Sequence, residues 1–154
     1  MRAGLFVAGA LLLGSPAQAA GPAILLHGHG VQIYACTGSG GGVAWHLKAP
    51  DAVLTDAHGH VAGHHFAGPA WRASDGSVVV GEKLAESAAP APGAVAWLIL
   101  RAKSHQGAGV FADIAYIVRS QTEGGAAPAT GCDAGHEGAE IRMGYNATYS
   151  FFPG

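Results

Sequence analysis

Residues 139 to 152 read AEIRMGYNATYSFF, with large side chains recurring at every second position. Ile141, Met143, Tyr145, Ala147, Tyr149 and Phe151 fall on one side of an extended chain, and Arg142, Asn146, Thr148 and Ser150 fall on the other. A period of two marks a strand buried on one face; a helix would scatter these residues around its axis. The same alternation, in shorter runs broken by Gly, Pro, Asp and Ser, fills the rest of a chain that has 25 glycines and no long helical periodicity.

The runs pair off into hairpins. "VAWLILRAK" and "VFADIAYIVRS" flank the tight loop "SHQGAG". "VLTD" and "HVAGHHF" flank Ala57-His58-Gly59, and "PAWRA" and "VVVGEKL" flank Ser74-Asp75-Gly76-Ser77, with Gly where a turn needs positive φ. "VQIYAC" and "VAWHL" stand either side of the flexible "TGSGGG". Pro90, Pro92 and the stretch "EGGAAPATGCDAGHEG" read as loops. Eight to nine strands, mostly in hairpins, predict an all-β fold: an antiparallel β-sandwich or a small barrel.

The chain opens "MRAGLFVAGALLLGSPAQAA". A positive residue, an apolar run and the A-x-A site at Ala17-Gln18-Ala19 read as a cleaved Sec-type signal peptide over residues 1–19. The apolar run is shorter than the ~20 residues that span a bilayer. Residues 20–154 are then one all-β domain, exported to the periplasm or beyond the cell. Removing Arg2 leaves seven of the eight basic residues against ten acidic ones, which offers no basic surface for nucleic acid or anionic lipid. Cys36 and Cys132 are the only cysteines, and in an oxidising compartment two thiols most simply form one disulfide. A reactive or metal-binding thiol pair would be expected in a C-x-x-C spacing, which they lack.

Four histidines crowd into "AHGHVAGHHF", residues 57 to 66. His58 falls in a turn, and His60 and His64 share a strand face but stand ~13 Å apart at the usual strand rise. Zinc needs ligand nitrogens ~2 Å from the ion, so these two cannot both reach one ion on a straight strand. His65 points the other way. "HGHG" at 27 to 30 is a second H-x-H, read as a lead-in to the first strand; Pro22 in the third mature position rules out an amino-terminal copper motif. His105 lies in the Gly-rich loop. If strand pairing brings His65 and His105 together they can ligate a metal or hold a polar ligand; otherwise His105 organises its loop and His65 is a satisfied interior residue. Trp45, Trp71 and Trp97 are read as core, with Trp71, just after Gly68-Pro69, the one placed to line a ligand groove.

Enzyme chemistry finds little support. Ser104 and His105 are sequence neighbours, which point apart on a strand, and no nucleophile elbow exists. "GAGVFA", Gly107 to Ala112, matches a dinucleotide-binding string only formally, because it leads into alternating β-branched residues rather than a helix. No organic cofactor is implied.

The stretches "FAGPAWRASDGSVVVG", "AKSHQGAGVF" and "AYIVRSQTEGGAAPATGCD", with the closing aromatic strand, resemble the secreted family called domain of unknown function 3455 from about Val31 to Phe152. Its motifs match at His65, Gly68, Pro69, Trp71, Asp75, Gly76, Ser104, His105, Gly107, Gly109, Gly124, Gly125, Pro128 and Cys132. The resemblance implies export and a one-domain β fold, and carries no activity with it. The expectation is a secreted, non-catalytic binding module for a glycan, a small molecule or an envelope partner, using Trp71, His65 and His105. The alternatives are a metal-binding or redox-related envelope protein using His65 and His105, and an interaction protein without a pocket.

Overall fold

A computed structural model describes Pro22 and residues 24–154; the leader reading for residues 1–19 lies outside them. Eight strands follow one another: β1 (Ile24–Ser39), β2 (Gly42–Thr55), β3 (Val61–Phe66), β4 (Ala70–Ala73), β5 (Val78–Ser87), β6 (Trp97–Gln106), β7 (Ile114–Gly124) and β8 (Glu140–Pro153). Each pairs antiparallel with the next, and β8 returns to pair with β1 from Ile24↔Phe151 to Ala35↔Glu140. Of the two architectures expected, the chain takes the barrel. Closure gives every strand a neighbour on both sides over at least part of its length. Among the described residues no helix is long and apolar enough to cross a membrane.

The alternation on β8 sorts as the sequence predicts, with Tyr145, Ala147, Tyr149 and Phe151 all buried inside the barrel. From β1 come Leu26, Gln32, Tyr34 and Cys36, and β2 adds Ala52 and Leu54. Gly28 leaves room for the Tyr149 ring, since a Cβ there would stand 2.7 Å from its Cε2. Charged side chains pair on the outer wall, Arg142 with Asp51 at 2.8 Å and Arg101 with Glu82 at 2.8 Å.

Two local readings change. The "HGHG" segment is not a lead-in; it lies within β1, in register with β2 and β8. Nor does the hairpin of β6 and β7 turn on "SHQGAG". Strand β6 runs on through Gln106 to pair with β5, the β6–β7 ladder covers only Leu98–Arg101 against Arg119–Tyr116, and β7 begins at Ile114. The intervening loop carries Phe111 into the barrel, where it is fully buried and stacks on Phe151 at 4.6 Å. Asp75 makes this possible. Its carboxylate accepts from the Ser77 amide and hydroxyl and from the Val110 amide, and Ser77 Oγ in turn accepts from the Phe111 amide. These bonds hold the Asp75 carboxyl below its ordinary range, the Ser77 hydroxyl contributing most. "GAGVFA" is therefore a plug for one end of the barrel, followed by a strand.

The other end is closed by the long β7–β8 loop. Cys36 and Cys132 form the disulfide, with Cα atoms 5.4 Å apart. Trp45 donates from Nε1 to the Thr130 carbonyl at 3.0 Å, and Tyr34 from its hydroxyl to the Gly125 carbonyl at 2.7 Å.

Candidate functional site

Alternation along β3 turns Gly63 and His65 inward and His64 outward. His65 is 3% exposed, stacks on Trp71 with ring centroids 4.5 Å apart and planes within 6°, and meets Tyr149 edge-on at 5.1 Å. Its Nδ1–H donates to the Ala70 carbonyl at 2.9 Å. Burial brings its pKa down to about 4; the bond to Ala70 opposes the shift and the Arg119 charge adds to it. Trp71 is 1% exposed, packed among His65, Tyr149 and Phe151, so it forms core and not the wall of a groove.

His65, Trp71, Val79 and His105 stand in one row across β3, β4, β5 and β6. Three inter-strand steps of ~4.8 Å set the two histidines roughly 14 Å apart, with a tryptophan and a valine between them. They share neither an ion nor a proton. His105 is exposed and donates from Nε2 to the Ile114 carbonyl at 2.7 Å, tying the start of β7, just after the Phe111 loop, to β6.

The remaining histidines lie outside the barrel. Asp56 caps its turn by accepting from the His58 and His60 amides at 2.8 and 2.9 Å, with the His60 ring 3.3 Å away. His27 and His29 face outward from β1 against Thr148 and Asn146 of β8, at 3.5 and 2.8 Å. Among the described residues no group of three His, Cys, Asp or Glu converges as a metal set.

A different site emerges from strand lengths. The β3–β4 hairpin is much shorter than its neighbours. It pairs with β2 only over Ala52–Thr55 and with β5 only over Val78–Val80. Beyond it Leu47–Pro50 of β2 and Lys83–Glu86 of β5 have no strand between them, and the barrel wall has a window whose sill is Ala67-Gly68-Pro69. The cleft behind it measures about 420 Å³ and is lined largely by carbon, including Leu47, Pro50, Leu98 and Leu100. Arg119 stands at its back.

Arg119 is two positions beyond Ile117 on β7 and so turns inward, opposite Leu98. Its Nε and Nη2 both donate to the Ala96 carbonyl, at 3.0 and 2.8 Å, which holds the β5–β6 loop across the barrel end. Behind it the Tyr145 and Tyr149 hydroxyls lie 3.0 Å apart. Burial raises both tyrosine pKa values, Tyr149 the further, and the Arg119 charge draws each back. The cations at the rim are compensated, Lys48 by Glu140 and Lys83 by Glu86. Arg119 is half-buried, and among the described residues no carboxylate stands within 4 Å of it. Sequence reasoning missed it. A charged residue at an inward position of the alternating run "IAYIVRS", here two positions beyond Ile117, is the signal that finds it.

Fold and site together define a disulfide-closed antiparallel β-barrel, filled at one end and open through its wall at the other. The chain belongs to the family described as protein of unknown function (DUF3455), whose model matches residues 16–153. No curated protein and no solved structure matches it.

Proposed function

We propose that the protein is an exported, non-catalytic binding module that takes a small molecule through the window above Ala67-Gly68-Pro69. The observation that carries this reading is Arg119: a half-buried guanidinium, without a carboxylate partner, at the back of an apolar cleft. Small-molecule sites have this form, a concave surface mostly of carbon with a few placed polar groups. Export rests on the leader-like residues 1–19, and the disulfide accords with an oxidising compartment.

Ala67 is exposed on the sill, so Ala67→Trp blocks the window without entering the core. A chemically diverse panel of small molecules, screened by thermal shift, should stabilise the natural protein and leave Ala67→Trp unmoved. Hits that stabilise both proteins equally, or a panel with no hit lost in Ala67→Trp, overturn the window as the binding site.

A further inference from the structure

A second cleft, of about 270 Å³, adjoins the window. It shares Glu86, Leu98 and Arg119 with the first, and Trp97, Ile99 and Val118 supply most of its remaining wall. Arg119 thus stands where the two clefts meet. The Trp97 Nε1 is buried without a hydrogen-bond partner.

We infer that the ligand is an anionic amphiphile: a carboxylate that pairs with Arg119, on an aliphatic or aryl body that lies along Leu98 and the Trp97 cleft. This rests on the window being the binding site. Three observations carry it. The Ala96 carbonyl takes one N–H from Nε and one from Nη2. A guanidinium has five N–H donors, so some remain for a ligand, already oriented by the bond to Ala96. The charge is also without a contact partner: Glu86 acts on Arg119 only at a distance, and a ligand carboxylate in contact would add charge-assisted hydrogen bonds. Glu86 lines both clefts, yet its carboxylate is bound by Lys83 at 2.6 Å. Finally, the lining beyond Arg119 is carbon, which solvates a tail and rejects a polar sugar or a peptide backbone.

The test uses octanoate and 4-phenylbutyrate beside their neutral amides, titrated calorimetrically into the full mature protein near neutral pH. Each carboxylate is expected to bind about tenfold tighter than its amide, the worth of one charge-assisted bond. Arg119→Lys should narrow that ratio and Arg119→Met abolish it. Binding should also shift tryptophan emission, and Trp97→Phe should remove the shift while Trp45 and Trp71 remain. Equal affinity for acid and amide in the natural protein, a comparison that needs no variant, overturns the anionic ligand. If Ala67→Trp still abolishes that binding, the window survives. A preference for the carboxylate that persists in Arg119→Met overturns Arg119 as its partner. Failure of all four probes to bind the natural protein overturns this ligand class, whereas binding unaffected by Ala67→Trp removes the window itself.

Discussion

The buried imidazole of His65 makes a quantitative claim about acid. Folded, it stays neutral down to about pH 4, whereas in the unfolded chain it titrates at its ordinary 6.5. Between those values the unfolded state binds more protons, so stability is lost as pH falls through the window. Linkage puts the loss from this one residue at about 1 kcal/mol near pH 5.5 and about 2 kcal/mol near pH 4.5, relative to neutral pH. His65 is 3% exposed, so solvent screening does not discount these figures. Below that range Asp56, Asp75, Glu82, Glu86 and Asp133, all held below their ordinary pKa, begin to contribute losses of their own, and the measurement should stop above it. His65→Gln keeps an amide donor for the Ala70 carbonyl, gives up the stacking on Trp71, and does not titrate. Urea unfolding of both proteins at several pH values down to about 4.5 gives two slopes. The variant should be less stable near neutral pH by about 1 kcal/mol, the scale of one aromatic pair, and its curve should be flatter by the amounts above. Parallel slopes would refute a neutral, desolvated His65.

Phe111→Ala removes a fully buried ring from a loop and should cost about 3–5 kcal/mol in urea unfolding, as core aromatic truncations do. A loss below 1 kcal/mol would mean the loop does not plug the barrel. Gly109→Ala places a Cβ 2.6 Å from the Asp75 Cγ at a φ of +149°, so it should lower Tm and speed amide exchange at Val110 and Phe111. Asp75→Asn should speed exchange at the same amides, while Asp113→Asn should not. The disulfide joins residues 96 apart in sequence, and the chain-entropy model assigns such a loop ~4–5 kcal/mol. Intact mass should rise by two hydrogens on reduction, and the Cys36→Ser, Cys132→Ser double variant should unfold at lower denaturant.

What could be read beforehand follows from how local the determining physics is. Alternation is a property of neighbouring residues, so the inward set of β8 and the inward turn of His65 were legible, as were the turns around Gly59 and Gly76. Closure was not: it depends on β8 finding β1 more than a hundred residues away, and a sandwich would use the same strands. The pattern of "VFADIAYIV" predicts a strand through Phe111, yet tertiary bonds from Asp75 and Ser77 override that pattern for its first residues. The window escaped notice because it depends on where β3 and β4 stop relative to β2 and β5, and strand ends are set by pairing.

The residues that carry the family resemblance are the ones the barrel uses to hold its shape. Asp75 and Gly109 seat the Phe111 loop, His105 ties the start of β7 to β6, Gly125 receives the Tyr34 hydroxyl, and Cys132 anchors the β7–β8 loop. His65 and Trp71 are stacked inside. The density of histidines in residues 57 to 66 misdirects: of these four, His58, His60 and His64 lie on the outer wall, and only His65 is built into the barrel, where burial disfavours its charged form. Arg119 is half-buried with no carboxylate within 4 Å among the described residues, and the gap left by a short hairpin opens beside it.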